Sequence, residues 1–153
     1  MSSRHLRILL ADDDADDCMF FDGALSEIPL STQLNTVKDG VQLMSYLSAN
    51  IHQLPHVLFL DLNMPLKNGF ECLEEIKLSE KLKSLPVIIL STSRQENIIN
   101  LLYKIGAERY IRKSVNFSKL KQLIYQALNI IADSKVSRPL KETFVLNTLD
   151  EVK

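Results

Sequence analysis

Carboxylate side chains follow two apolar runs of the sequence, at positions where they could act together. Asp61 comes directly after the apolar run at 57–60, and Asp12 and Asp13 follow the run at 7–11. In open parallel α/β sheets the ligand crevice lies outside the carboxyl ends of the strands. If both runs are strands of one such sheet, the aspartates concentrate negative charge at one edge. Such a site requires a cation.

Two further apolar runs end in a hydroxyl pair and an ammonium group. Ser91 and Thr92 follow the run at 87–90, and Lys113 follows the segment 108–112. Together with the aspartates, these side chains match the chemistry of reversible phosphorylation on a carboxylate. Asp61 would be the nucleophile, because carboxylates form aspartyl-phosphate intermediates. The hydroxyl and the ammonium would hold the phosphoryl oxygens.

The charges of this set predict a divalent metal ion. The three carboxylates Asp12, Asp13 and Asp61, with the single ammonium of Lys113, leave a formal charge of −2, which one divalent cation neutralises. Mg²⁺ is the expected ion because it takes oxygen ligands and uses one or two carboxylates while keeping several waters. Without the metal, repulsion between like charges is expected to raise the pKa of at least one carboxyl group.

Short apolar runs alternate with longer stretches of helical periodicity along most of the chain. This alternation indicates repeated βαβ units and a parallel sheet, and right-handed crossovers then place helices on both faces. We therefore predict an α/β domain whose strand ends meet at one edge. Strands are predicted at 6–11, 32–37, 57–60, 87–90 and 108–112, and helices at about 15–28, 41–50, 70–79, 95–104 and 117–132, with Asp14 as an N-cap and Asp39-Gly40 as a turn.

Size and charge narrow the class of protein. The chain has 153 residues, of which 46% are hydrophobic, enough for one compact domain. The net charge of −1 gives no basic excess of the kind that nucleic-acid binding requires. No segment reaches the length of a membrane span, and the N-terminus is a poor signal peptide. We expect a cytoplasmic protein with no nucleic-acid partner and no membrane contact.

The C-terminal extension, 133–153, differs from the domain at 5–132. Residues 134–139 read as a linker, and the residues after it contain few large apolar side chains. We expect Phe144, Val145 and Leu146 to pack on the domain or on a neighbouring chain. The need to cover this segment favours a homodimer, for which two-fold symmetry is the default.

Four sequence segments, in this order and spacing, resemble the response regulator receiver domain, of the kind typified by the stand-alone bacterial chemotaxis regulator. They are ILLADDD at 8–14, LFLDLNMPLKNGFE at 58–71, LPVIILSTS at 85–93 and GAERYIRK at 106–113. The resemblance covers about residues 5–132. It implies a flavodoxin-like, doubly wound sheet with strand order 2-1-3-4-5.

The resemblance also implies roles for the acidic residues. Asp61 matches the phosphoacceptor of the family. Asp12 and Asp13 match its acidic pair, with Asp13 as a direct Mg²⁺ ligand and Asp12 acting mainly through water. The backbone carbonyl of Asn63 matches the third protein ligand, and Gly69 matches the glycine that ends the loop after the phosphorylated strand.

Three more positions match the family's switch residues, and one departs from its pattern. Ser91 takes the place of the switch hydroxyl, Tyr110 that of the aromatic whose rotamer reports phosphorylation, and Lys113 that of the active-site lysine. Family members usually have a cis-proline after this lysine, whereas here it is followed by Ser114. A cis bond before a non-proline residue costs about 2.5–4 kcal/mol. We therefore expect a trans bond, a shifted loop and a less direct approach of the lysine to the site.

The function implied is that of a response regulator, phosphorylated by a sensor histidine kinase or a phosphotransfer protein and acting on a downstream protein target or passing the phosphoryl group on. It would catalyse only its own phosphorylation and dephosphorylation. The output surface would be formed by the fourth helix, fifth strand and fifth helix. Side chains expected to be exposed there are Ile98, Tyr103, Lys104 and Lys119.

The sequence also leaves two alternative functions open. The first is a pseudo-receiver that is never phosphorylated and serves only as an interaction module, which Ser114 weakly favours. The second is a phosphohydrolase of the haloacid dehalogenase type, because Asp12 and Asp14 imitate that family's DxD motif. Against the second, Ala15 stands where a threonine or valine is usual, and Asp61 and Asn63 would have no role.

Overall fold

The computed structural model describes residues 5–133 and 139–148. Five strands alternate with five α-helices, and a short 3₁₀ turn follows at Lys141–Thr143. No helix of the described residues is long and apolar enough to cross a membrane. In chain order the elements are β1 (His5–Ala11), α1 (Ala15–Ser26), β2 (Ser31–Val37), α2 (Gly40–Ala49), β3 (Val57–Asp61), α3 (Gly69–Leu78), β4 (Val87–Ser91), α4 (Glu96–Ile105), β5 (Arg109–Arg112) and α5 (Phe117–Ala132).

The five strands form one parallel sheet in the order β2-β1-β3-β4-β5. This confirms the predicted fold class and strand order. Ala11 of β1 pairs with Leu60 of β3. The residues that follow them, Asp12 and Asp61, therefore lie at the same edge of the sheet. Ser91 likewise pairs with Arg112, at the carboxyl ends of β4 and β5. The register therefore brings the predicted site residues to one edge of the sheet.

The sheet is covered on both faces, which explains the continuous apolar runs of its central strands. Every residue of β3 and β4 is buried, as expected for parallel strands between two helical layers. Side chains of β1 alternate between the layers. Leu9 and Ala11 pack with α2, α3 and α4, whereas Leu6, Ile8 and Leu10 pack with α1 and α5.

Local capping sets where the helices begin. Asp14 accepts hydrogen bonds from the backbone amides at the start of α1, which confirms its predicted role as an N-cap. The predicted turn at Asp39 and Gly40 is wrong. Asp39 is the N-cap of α2, and its carboxylate accepts a bond from the amide of Gln42. Asx side chains favour both turns and caps, so the dipeptide alone does not distinguish the two structures.

The C-terminal segment packs on the domain, which is one of the two predicted outcomes, and it lies at the edge of the sheet. Phe144 and Leu146 are buried and Val145 is half-buried. Val145 lies beside Tyr110 of β5 as a parallel bridge. The predicted linker at 134–139 lies outside the described residues except for Pro139.

Residues 139–148, called the tail below, cover part of the surface that was expected to be open. The hydroxyl of Tyr103 donates a hydrogen bond to the Pro139 carbonyl at 2.8 Å. The Tyr103 ring also meets the Phe144 ring edge to face, with centroids 5.3 Å apart. Of the four side chains expected to be exposed on this face, Lys104 is exposed, whereas Ile98, Tyr103 and Lys119 are half-buried. The prediction of exposure is therefore wrong for these three.

Candidate functional site

The carboxylates of three aspartates meet at the carboxyl ends of β1 and β3. Asp12 and Asp61 are almost fully buried, with 1% and 5% of their surface exposed, whereas Asp13 is exposed. One oxygen from each of the three side chains lies within 4.8 Å of the others. Two desolvated carboxylates and one open to solvent thus share a single small volume.

Backbone amides orient the two buried carboxylates. The amide of Asp14 donates to Oδ1 of Asp12 at 3.0 Å, and the amide of Asn63 donates to Oδ1 of Asp61 at 3.3 Å. Both contacts come from residues two positions further along the chain. In each case the loop leaving the strand turns back toward the carboxylate and leaves the other oxygen, Oδ2, free to face the site.

The ammonium group of Lys113 lies among these carboxylates. Its Nζ is 3.0 Å from Oδ2 of Asp12 and 3.4 Å from Oδ2 of Asp61. The described peptide bonds include no cis bond, so the bond between Lys113 and Ser114 is trans, as predicted. The expectation that Lys113 would reach the site less directly is not met, because Nζ contacts both buried carboxylates.

Asp17 is a site residue that the sequence reasoning missed. Its Oδ2 accepts a hydrogen bond from Nζ of Lys113 at 2.8 Å, the shortest of the three carboxylate contacts of that lysine. Asp17 lies in the first turn of α1, three residues after the N-cap Asp14. Its sequence signal is weak, because acidic residues are common in first turns, where they interact favourably with the helix dipole.

With Asp17 included, the site is more acidic than the sequence suggested. Four carboxylates and one ammonium leave a formal charge of −3. Burial raises the pKa of Asp61 to about 6; the charge of Lys113 opposes this rise and that of Asp12 adds to it. The direction agrees with the expectation that one carboxyl group would have a raised pKa, but the main cause is burial and not the expected repulsion between like charges.

The same environment keeps Lys113 charged. Burial alone would lower its pKa, but hydrogen bonds to Asp17 and Asp12 and the charge of Asp61 outweigh it, so the pKa is raised. The charge-stabilising contacts dominate because Lys113 has several carboxylate partners. The site therefore contains one permanent cation and at least one carboxyl group that resists ionisation.

Ser91 and Tyr110 are joined through Ser93. Ser91 is buried at the end of β4, and its Oγ accepts a hydrogen bond from the Ser93 amide at 3.1 Å. Tyr110 is fully buried in β5, and its hydroxyl donates to the Ser93 carbonyl at 2.8 Å. Thr92 is exposed. Ser91 and Tyr110 are therefore hydrogen-bonded to the same residue.

The donor set of the site fits a hard divalent cation. Its ligand atoms are carboxylate oxygens, which Mg²⁺ and related ions prefer, and no cysteine or histidine joins the cluster within the described part of the chain. Asp13 adds a carboxylate on the solvent side, where a partly hydrated ion would keep its waters. The excess of negative charge supplies the attraction.

Asp14 does not take part in this cluster. Its carboxylate accepts bonds from the amides of Asp16 and Asp17 at 2.8 and 3.1 Å. The side chain is therefore used in capping α1, which leaves the DxD reading of Asp12 and Asp14 without its second carboxylate.

Gly69 holds the loop after β3 close to Asp61. Its amide donates to the carbonyl of Leu62 at 2.9 Å. A Cβ atom at this position would lie 2.5 Å from the Asp61 carbonyl oxygen and 2.7 Å from Cα of Leu62. Both are backbone atoms, so neither can move without displacing the strand end that carries the phosphoacceptor candidate.

Gly69→Ala is therefore expected to lower the free energy of unfolding by roughly 1–3 kcal/mol, as overpacking does elsewhere. Gly23→Ala is the matched control, because its Cβ would meet the Phe117 ring at an ordinary 3.6 Å. Inside α1 the alanine should stabilise by about 0.5–1 kcal/mol. Urea unfolding of both variants checks this. Equal effects of the two substitutions would contradict the close approach at Gly69.

Known proteins resemble this chain in sequence and fold. The sequence model of the response regulator receiver domain matches residues 8–125. Response regulator Rcp1 of Synechocystis sp. is 31% identical over 121 residues, which cover 76% of this chain and 82% of Rcp1. The structure of the phosphorylated cyanobacterial phytochrome response regulator RcpA is 35% identical with a TM-score of 0.77, covering 90% of this chain and 100% of RcpA. The Mn²⁺-bound form of Rcp1 is 29% identical with a TM-score of 0.72, covering 88% and 99% of the two chains.

Proposed function

Because the chain belongs to the response regulator receiver family, we propose that it is a signalling protein whose receiver domain, residues 5–132, is phosphorylated on Asp61. The observation that carries this proposal is the buried Asp61 carboxylate, which lies beside Asp12 and within 3.4 Å of the Lys113 ammonium. A phosphorylated relative and a Mn²⁺-bound relative with the same fold support the chemistry. The donor would be a sensor histidine kinase or a phosphotransfer protein.

Each residue of the site has a separate role in the proposed phosphoryl transfer. An oxygen of Asp61 attacks the donor phosphorus, the new O–P bond forms, and the bond to the donor's leaving atom breaks. Lys113 balances negative charge on the acceptor and on the transferred group. Asp12, Asp13, Asp61 and the backbone carbonyl of Asn63 would hold Mg²⁺, which when bound neutralises charge on the phosphoryl oxygens. In this reaction the protein contributes mainly by positioning the reacting groups and by stabilising their charges.

The response to phosphorylation would start at Ser91. A phosphoryl oxygen on Asp61 is a strong acceptor for the Ser91 hydroxyl, and movement of that side chain competes with its bond from the Ser93 amide. Since Tyr110 is tied to the Ser93 carbonyl, a shift of this loop changes the packing of the Tyr110 ring. The face formed by α4, β5 and α5 is then biased between two arrangements.

Output from this domain would occur by protein contact. The downstream partner would be a protein that reads the α4–β5–α5 face, or a phosphotransfer protein that receives the phosphoryl group. A cytoplasmic location and a two-fold homodimer remain proposals, but covering the tail no longer argues for the dimer, because Phe144 and Leu146 are buried against their own domain. We infer no chemistry beyond the protein's own phosphorylation and dephosphorylation.

The test is the intact mass of the protein after incubation with acetyl phosphate and Mg²⁺, compared with Asp61→Asn and with Asp22→Asn, an exposed aspartate in α1. We expect the parent and Asp22→Asn to gain one phosphoryl group and Asp61→Asn to gain none. EDTA should abolish the gain. A parent that binds Mg²⁺ but is modified neither by acetyl phosphate nor by a purified histidine kinase would instead be a pseudo-receiver.

A further inference from the structure

The tail is bound to β5 as an additional short strand. The Tyr110 amide donates to the Phe144 carbonyl at 3.0 Å, and the Leu146 amide donates to the Tyr110 carbonyl at 2.9 Å. These two bonds bracket Tyr110 and use both of its backbone groups. The tail thus pairs with β5, which is the last strand at this side of the sheet. An edge strand with free backbone groups accepts a further strand in this way.

Two side chains of the tail fill apolar sites on either side of β5. Phe144 is 1% exposed and packs in the core beneath α4, with its ring 5.3 Å from Tyr103 and 6.3 Å from Tyr110. Leu146 is 8% exposed and packs in the core beneath α5. An aromatic residue followed two positions later by an aliphatic one is therefore the pattern that this surface accepts.

Within the described residues, the tail makes fewer backbone bonds to the sheet than neighbouring strands of the sheet make to each other. β1 pairs with β2 over seven positions, whereas the tail meets β5 at one bridge. Outside that bridge, the Tyr103 hydroxyl donates a hydrogen bond to the Pro139 carbonyl. The side-chain amide of Gln126 donates one to the Asn147 carbonyl at 3.0 Å. A competing strand would have few backbone bonds to replace.

Basic side chains line both cavities beside the tail, and Glu96 and Glu142 also line the larger one. One cavity of about 490 Å³ and another of about 320 Å³ flank it, and Arg94 and Arg112 line both. Within the described residues no ion pair is recorded for either arginine, and Nε of Arg112 is buried without a hydrogen-bond partner. Asn147 lines the smaller cavity with them. A carboxylate near that position would complement the two guanidinium groups.

We propose that the β5 edge is a docking groove for an extended partner segment with an aromatic-x-aliphatic pair followed by an acidic residue, and that the tail is its resident occupant. Strand addition of this kind takes its affinity from main-chain bonds and its specificity from the side-chain pockets. A partner must therefore displace the tail to reach β5. Since Tyr110 carries both the tail contacts and the bond to Ser93, the groove adjoins the proposed phosphorylation switch.

The experiment uses a fluorescein-labelled peptide with the sequence of residues 139–148, titrated into the full chain by fluorescence anisotropy. A tethered segment competes at an effective concentration on the order of millimolar, so the parent should bind the peptide weakly. Phe144→Ala in the protein weakens its own tail and should tighten peptide binding at least tenfold. Leu140→Ala, at an exposed tail position, is the control and should bind as the parent does.

Two peptide variants test the stated chemistry of the partner. The F144A peptide should lose binding to the Phe144→Ala protein. The N147D peptide should bind that protein more tightly than the unmodified peptide, and this gain should vanish when Arg112→Gln is added to the protein. Equal binding of the unmodified and F144A peptides would overturn the proposal, as would equal affinity of the parent and Phe144→Ala proteins.

A second measurement covers the case in which Phe144→Ala does not fold. Amide exchange of the parent should show protection at Leu146 that does not depend on protein concentration and that falls in Tyr103→Phe, which removes the hydroxyl bond to the Pro139 carbonyl. Protection that rises with concentration would overturn the assignment of the tail as an occupant within the same chain. The inference rests on the proposed function only in placing the groove beside the phosphorylation switch. Neither measurement needs a phosphoryl group, so its failure is distinguishable from a failure of Asp61 to be phosphorylated.

Discussion

Asp61→Asn should make the metal-free protein more stable at neutral pH, although it removes the phosphoacceptor. The pKa of Asp61 is raised from 3.8 to about 6 in the folded protein, chiefly because the carboxyl group is buried. A raised pKa means that the folded state prefers the protonated form. The resulting stabilisation is fully present below about pH 3.8 and is lost as the pH rises through about 6. Over this window the loss amounts to as much as about 3 kcal/mol at 1.36 kcal/mol per pKa unit.

The asparagine side chain keeps the shape and carries no charge, so its contribution does not change with pH. The difference in unfolding free energy between Asp61→Asn and the parent should be small at pH 4 and should reach about 1–3 kcal/mol in favour of the variant at pH 7.5. Urea unfolding in EDTA at both pH values measures it. Asp22→Asn, in the same buffers, controls for general charge effects. An Asp61→Asn protein that is less stable than the parent at pH 7.5 would contradict the proposed cost of ionising Asp61.

Lys113→Met should have the opposite effect and a larger one. The substitution keeps most of the side-chain volume but leaves the buried carboxylates of Asp12 and Asp61 without the cation that lies 3.0 and 3.4 Å from them. Removing one partner of a buried charge pair costs roughly 3–5 kcal/mol, because the remaining charge is neither hydrated nor paired. We expect a loss of this size in the free energy of unfolding at pH 7.5 in EDTA. Lys104→Met, at an exposed position in α4, should change it by about 0.5 kcal/mol or less.

A double-mutant cycle separates lost charge pairing from lost packing at Lys113. If pairing dominates, adding Asp61→Asn to Lys113→Met should restore more stability than Asp61→Asn gives in the parent, because neighbouring charges are energetically coupled. Mg²⁺ should also recover part of the stability of Lys113→Met, since a divalent cation replaces the missing positive charge. Purely additive effects would mean that Lys113 does not stabilise the fold through its charge pairing with Asp61.

The local pattern of the sequence was sufficient to predict the sheet and most of the acidic cluster. Apolar runs bounded by polar residues define β3 and β4, and helical periodicity separates them, so a parallel α/β sheet follows from these features. Asp12, Asp61 and Lys113 come directly after strands or end them. Their meeting is then a consequence of parallel topology, because every parallel strand ends at the same edge. The N-cap Asp14 was likewise readable, because its role depends only on neighbouring backbone amides.

Other features depended on contacts between distant parts of the chain. Asp17 reaches Lys113 across 96 positions of sequence, and only the packing of α1 against the sheet decides which first-turn carboxylate faces the lysine. The raised pKa was anticipated, but its location on Asp61 follows from how deeply that side chain is buried. Apolar residues in the tail indicated that it must be covered. The sequence could not say that it pairs with β5 and covers Tyr103, because strand pairing is chosen by whichever edge and pockets the folded domain leaves open.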